Sequence, residues 1–459
     1  IAWVLAGAAL LTAFGAGADY IRWRRTRYRV GADRVELHTG LLLVKKRSLA
    51  RTRIRSVDLT AHLLQRVLGL VTVRIGTGEH SGESTLELDP VLRAEGERLR
   101  RTLLERGLTA TPGSHREGEL VSLDPRWIRY APVSFVAPAL GCAAAGAVMQ
   151  VSDWFGAQDQ VIDWVGDRYR DTSLLSVIVL LVVAGVLVGG VGALGRWVKV
   201  WWNYSLEREP GGTLRIRHGL LTTRSVSIEE RRLRGVALVE PLGVRLMGAA
   251  RVDAITTGLA KDDEEQQGDL STLLPPAPRP VADLVAAAVL RETTSPTGAP
   301  LTAHPAAARG RRLRRALWTV LAPVLVLALL GVLLTPVLLW TALGCAAVGL
   351  PVGVLLARDA YRALGHTLSG AYLVTRSGAL RRSTAALERT GVIGWTVRQS
   401  SFQRRAGLLN ITATTAAGAG AYTVYDADGT EGLEFASEAV QGLLEPFLER
   451  VGAGEQAGD

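Results

Sequence analysis

"LLQRVLGLVTV" (63–73) sets a glutamine and an arginine ahead of a glycine, then passes into a run that alternates apolar and polar residues. The stretch returns as "LGVRLMGAARV" (242–252) and again as "SFQRRAGLLNI" (401–411). A turn written three times in one chain of 459 residues marks a repeated unit rather than a single site. The frame of that unit is tight. Gly40 precedes Gly69 by 29 residues, Gly219 precedes Gly248 by 29, and Gly378 precedes Gly407 by 29, with no gap needed. Within it Leu49, Ile228 and Leu387 coincide, as do Ile54, Leu233 and Val392, then Val57, Val236 and Trp395, and finally Arg66, Arg245 and Arg404.

Each copy reads as strands joined by short turns. "YRVGADRVELHTGLL" (28–42) places a polar, glycine-containing break between two extended runs, as a hairpin does, and "EREPGGTLRIRHGLL" (207–221) repeats it with stronger turn residues. After the Arg-x-x-Gly element, Val71, Val73 and Ile75 take the positions of Ala250, Val252 and Ala254 and of Leu409, Ile411 and Ala413, with polar residues mostly between. Period-two alternation of this kind buries one face of a strand. Helical patterns then close the copies at 89–107, 279–292 and 436–450. The unit is thus a small antiparallel sheet or barrel followed by one amphipathic helix, large enough to hold its own core.

Between the copies lie stretches of another kind. Residues 131–151, 173–195 and 316–357 contain no Asp, Glu, Lys or Arg, and about 20 apolar residues suffice to cross a bilayer as a helix. The last stretch is twice that length and is expected to turn near Thr335 and Pro336. Residues 1–20 form a further span, expected to be N-terminally incomplete because the chain opens on Ile, and not a signal peptide, since its charges follow the apolar run. Arginine clusters at 22–29, 196–199 and 309–315, with Arg358 and Arg362, place all three copies in the cytosol and the 153–172 loop outside. Trp197, Trp201 and Trp202 beside Arg196 and Lys199 are expected to anchor at the interface, and 293–315 reads as a linker, flexible in its Pro- and Ala-rich first part.

Taken together, strands, an Arg-x-x-Gly turn, a further strand pair and a closing helix, repeated along a chain of membrane hairpins, resemble the bacterial pleckstrin-homology-like (PH-like) membrane proteins of the YdbS and YdbT type. The segment that carries the resemblance is Gln65, Arg66 and Gly69, matched by Gln403, Arg404 and Gly407; the second copy has Val244 for the glutamine and keeps Arg245 and Gly248. The resemblance implies an α+β membrane protein in which transmembrane helices alternate with three cytosolic PH-like barrel or sheet domains, each closed by a helix. The expected order is a span at 1–20, domains at 25–108, 200–292 and 362–452, spans at 130–152 and 173–196, and two more within 316–357.

For function, the net charge of +10 suits large domains held against an anionic leaflet. A nucleic-acid partner is set aside, since no helix-turn-helix or zinc spacing accompanies the charge. The basic run Lys45, Lys46, Arg47, Arg51, Arg53 and Arg55 reads either as a headgroup or partner contact or as a solvated strand face that deters edge pairing. Arg66, Arg245 and Arg404 read as structural, bonding carbonyls or a nearby acid at a left-handed glycine; a ligand contact is the other reading. Gly40, Gly219 and Gly378 define the repeat with them. The seven histidines show no metal spacing, the two cysteines sit inside spans, and neither a nucleophile elbow nor a phosphate loop is present. No cofactor, no metal and no catalysis are expected. The reading is of a bacterial inner-membrane protein whose three modules bind protein, one another or anionic lipid, with another membrane protein or a homo-oligomer as the expected partner and an accessory subunit of a transport or export complex as the alternative.

Overall fold

The computed structural model describes residues 7, 27–31, 33–39, 45–51, 54, 56–76, 85–104, 118–133, 136–160, 163, 174–257, 271–444 and 446. The first expected span, Gly7 excepted, and Gly40, Arg53 and Arg55 lie outside the described residues. The chain divides into two compact units, the first containing 1–128, 191–233 and 256–271, the second 129–190, 234–255 and 272–459. Copies 1 and 3 fall whole into one unit each. Copy 2 is split between them.

In the first unit, β1 (Arg27–Val30), β2 (Arg34–Thr39) and β3 (Lys45–Ala50) form an antiparallel three-stranded sheet. A second sheet has seven strands. Its β4 (Ser56–Ala61), β5 (Leu70–Gly76) and β6 (Thr85–Leu92) come from copy 1, whereas β8 (Ser205–Glu209), β9 (Thr213–His218) and β10 (Thr223–Glu229) come from copy 2. The order is β6-β5-β4-β10-β9-β8-β7, with β7 (Gly118–Ser122) an edge strand outside the repeat. α1 (Leu63–Val67) is the short helix of the opening stretch, and α2 (Arg93–Leu104) closes the copy. The alternation read from Val71, Val73 and Ile75 buries all three, together with Val57, Leu59, Leu86, Leu99 and Leu103.

The second unit repeats the plan. β11 (Leu233–Pro241), β12 (Ala249–Thr256) and β13 (Thr272–Pro278) of copy 2 share a six-stranded sheet with β14 (Gly365–Ser369), β15 (Tyr372–Ser377) and β16 (Arg381–Glu388) of copy 3. β17 (Val392–Arg398), β18 (Leu408–Thr415) and β19 (Ala421–Asp428) form a sheet of their own. A sheet is therefore not the property of one copy, as the size of the unit suggested. In copies 1 and 2 the second sheet is completed along one edge by the first sheet of the next copy.

The helices correct one further expectation. α3 (Val136–Trp154) and α4 (Leu174–Trp201) approach so closely that a Cβ at Gly141 would collide with the carbonyl oxygen of Gly185. α5 (Leu242–Leu246) is the copy 2 counterpart of α1, and α6 (Arg279–Leu290) closes that copy. α7 (Ala306–Leu333) and α8 (Pro336–Arg362) are separated by Leu334 and Thr335, with Pro336 in the first turn where its missing N–H costs nothing. Among the described residues Val182–Trp201, α7 and α8 are long and apolar enough to cross a membrane. Copy 3 has α9 (Ser401–Arg404) and closes with α10 (Gly429–Ala439), seven residues ahead of the expected start, because the Asp428 carboxylate accepts from the N–H groups of Thr430 and Glu431 and caps the helix there.

The stretch expected to be a flexible linker is instead packed: Thr297 and His304 are buried, Thr302 bridges His366, and Arg309–Arg315 lie inside α7. The Asp426 carbonyl can only accept, so His304 donates Nδ1–H to it at 3.1 Å and its Nε2 accepts the N–H of His366 Nδ1, also at 3.1 Å. Trp197 and Trp201 are buried rather than interfacial, Trp201 against Tyr204 and His218; only Trp202 of the three is exposed.

Candidate site at the joints between copies

The opening stretch builds the junctions. In α1, Gln65 Oε1 accepts the N–H of His62 at 3.0 Å, while its amide reaches Asp89 at 2.9 Å and Thr72 at 3.2 Å. Gln403 does the same work in copy 3, accepting from Ser400 N at 3.0 Å and donating to Asp426 at 3.0 Å and Asn410 at 2.9 Å. The glutamine satisfies the first turn of a helix too short to stand alone. Val244, its replacement in copy 2, is buried.

Gly69, Gly248 and Gly407 have φ of +68°, +68° and +65°, a region that L side chains enter only with strain. Their carbonyls accept the N–H of Arg93, Arg279 and Gly429 at 2.9 Å, tying the turn to the first residue of each closing helix. The arginine of the motif points elsewhere. Arg66 donates to the carbonyl of Leu220 at 2.9 Å, and Arg245 donates to that of Ala379 at 3.3 Å, the same position one copy later. It is a clasp on the next copy's hairpin.

Both joints also share a sheet register. Ala61, Thr60 and Leu59 face Thr223, Arg224 and Ser225; Glu240, Val239 and Leu238 face Arg382, Ser383 and Thr384. In each joint three arginines occupy equivalent positions, Arg66, Arg93 and Arg217 in the first and Arg245, Arg279 and Arg376 in the second. Their surroundings differ. In the second joint Arg245 pairs with Asp359 at 2.7 Å, and Arg279 with Glu240 at 2.8 Å and Asp283 at 3.0 Å, while Arg376 donates to the Ala363 carbonyl at 3.1 Å. In the first joint Ala61 stands where Glu240 stands, and the helix leading into copy 2 has no acid between Leu174 and Leu206. The counterpart of Asp283 is Glu97, which is taken by Arg215 and, at 3.2 Å, by Arg100. Burial would push its carboxyl up, but the two guanidiniums overcome this and hold it below the usual range.

The outcome is a cavity of about 320 Å³ lined by Arg66, Arg93, Arg217, Trp202, Asn203, His218, Gly219 and Thr223. No carboxylate of the described residues pairs with its three arginines, and Arg217 Nε is buried with no partner among them. A smaller cavity beside it adds Arg215 and Glu97. Behind it, Arg100 is 2% exposed and makes a two-pronged bond to Glu209 at 2.7 and 2.9 Å. Next to the opening, α1 exposes Leu64, Val67 and Leu68, at 77%, 79% and 67%. Cationic depth and an apolar rim therefore meet on one turn of chain.

Comparison with known proteins agrees with this repeated architecture. A family model for the bacterial PH domain matches residues 1–107, 160–292 and 317–437, well over half of the chain. The chain belongs to the bacterial PH domain family. It is 24% identical over 276 residues to the UPF0699 transmembrane protein YdbT of Bacillus subtilis (strain 168), a match that covers 56% of this chain and 55% of that relative. The chain thus spans about half the length of the curated relative it matches. No solved structure matches it.

Of the basic residues singled out in the first bacterial PH domain, Lys45, Lys46 and Arg47 lie on β3, and Arg51 donates to the Thr102 carbonyl in α2. None of these four lines the arginine cavity. The cavity residues Arg93 and Arg217 escaped sequence reasoning because each is an unremarkable arginine in its own copy. The available signal was the exchange of Glu240 for Ala61 between copies.

Proposed function

We propose that this is a bacterial inner-membrane protein whose cytosolic PH-like modules are non-catalytic binding modules, and that the first joint holds the phosphate of an anionic lipid headgroup. One observation carries the reading: of three arginine positions, two are neutralised by acids and the third is bonded to a carbonyl in the second joint, whereas in the first the three arginines line a cavity with no paired acid among the described residues. Guanidiniums bind phosphate through paired N–H donors, and each charge-assisted bond contributes about 1.5–3 kcal/mol. The exposed Leu64, Val67 and Leu68 favour a headgroup over a soluble anion, since they would lie among acyl chains while Arg66 faces the cavity. The run from Lys45 to Arg55 is a second contact for the same anionic surface.

Native mass spectrometry of the full chain in mild detergent tests this with phosphatidylglycerol against phosphatidylcholine. Phosphatidylglycerol should be retained selectively, and Arg93→Gln with Arg217→Gln should lower its retention at least about tenfold, the worth of one charged hydrogen bond. Equal retention of both lipids, or no change in the variant, would overturn it. Binding of inorganic phosphate without lipid selectivity would leave an anion site and remove the headgroup.

A further inference from the structure

We propose that chains associate head to tail, the β17 edge of one chain pairing with β3 of a second copy in the register of the two internal joints. The rule is already applied twice. Ala61, eight residues before Gly69, faces Thr223, four after Gly219; Glu240, eight before Gly248, faces Arg382, four after Gly378. Each time the first strand of one copy's second sheet accepts the third strand of the next copy's first sheet. Among the described residues one of each is left at a sheet edge: β17 is the last strand of its sheet, and so is β3.

Three features of copy 3 fit an incoming strand. Val397 is 43% exposed, whereas its counterparts Leu59 and Leu238, on the strands that form the two joints, are buried. Gly394 occupies the frame position of Gly235, whose Cβ would collide with the carbonyl of Ala386 on the neighbouring copy's strand; around Gly394 nothing lies within 4 Å. Arg404 is exposed and clasps no hairpin among the described residues, unlike Arg66 and Arg245. A strand and its arginine clasp are thus present without the element they serve in the other two copies, together with the glycine relief of copy 2, where copy 1 has Ser56.

Charge selects the partner. β3 reads KKRSLA and would repel another β3, whereas β17 reads VIGWTVR with one charge. The shared register sets Val397 opposite Lys46, Trp395 opposite Ser48 and Gly394 opposite Leu49. It also sets Arg398 opposite Lys45, so the association should strengthen as salt is added. Such an interface is heterologous, the kind that closes into rings or extends into rows.

The test uses full-length chains in nanodiscs or mild detergent with Cys142 and Cys345 replaced by Ala. A Val397→Cys chain mixed with a Lys46→Cys chain should give a covalent dimer on mild oxidation, because directly opposed Cβ atoms lie about 5 Å apart. Val397→Cys with Ala50→Cys, four residues off register, should not. In parallel, Gly394→Val should reduce the multi-copy mass seen by mass photometry to that of one chain, with helix content unchanged. A single-chain mass for the unsubstituted protein, crosslinking indifferent to register, or a dimer formed by Val397→Cys chains alone would overturn the proposal.

Discussion

The two joints between copies have the same strand register, the same clasp from the Arg-x-x-Gly arginine and the same three arginine positions, yet one is filled with acids and the other holds a cavity. In the second joint Glu240, Asp283 and Asp359 take up Arg245 and Arg279 while Arg376 bonds the Ala363 carbonyl, so the arginines serve cohesion. In the first, Ala61 removes one acid, the preceding helix supplies none, and Glu97 is drawn away by Arg215 and Arg100. The difference teaches that a repeated frame conserves backbone geometry, while a few acidic side chains decide whether the same arginines bind the protein or something outside it.

That contrast can be broken from either side. The largest effect is expected from Asp359→Asn, which strips the carboxylate facing both Arg245 and Arg382 and should cost about 3 kcal/mol, read as a lower unfolding midpoint in detergent. A loss below about 0.5 kcal/mol would mean that the acids do not hold the joint. Glu240→Ala, which gives the second joint the residue of the first, should cost about 2 kcal/mol and create new retention of phosphatidylglycerol in native mass spectrometry. The converse, Ala61→Glu, should lower phosphatidylglycerol retention at the first joint about tenfold, or about 1.4 kcal/mol, by neutralising the arginines internally. Unchanged retention would place the lipid elsewhere.

The smallest effect concerns pH. Asp58 on β4 is pushed up from 3.8 to about 7 by burial, against the pull of Arg74 and Arg224, and its Oδ1 has no hydrogen-bond partner among the described residues. Its counterpart in the second joint is Ala237. With the folded value raised, the folded chain keeps a proton that the unfolded chain has released between about pH 4 and 7, so this contribution is fullest below that window and is lost as pH rises through it. Asp58→Ala should flatten the decline and raise the melting temperature at pH 8 by about 2–4 °C. A pH profile parallel to that of the unsubstituted protein would assign the dependence to other groups.

Legibility in the sequence followed the range of the interaction. The alternation of Val71, Val73 and Ile75, the left-handed Gly69 and the Thr335–Pro336 break are set by neighbours in the chain, and each is legible from the residues alone. The packed segment around His304 is not, because its partners His366 and Asp426 lie 62 and 122 residues away. Composition marked that segment as a linker, and only its contacts show it as part of copy 3.

By itself, the sequence determined that one unit is used three times, that Arg-x-x-Gly turns mark it and that charge-free helices separate its copies, because periodicity, turn chemistry and hydropathy act over a few residues. Only the tertiary structure decided that sheets are shared between copies, that Arg66, Arg93 and Arg217 converge while Arg245 and Arg279 are neutralised, and that β3 and β17 are left at sheet edges among the described residues. Strand pairing and charge compensation depend on which distant segments become neighbours, and no local pattern encodes that choice.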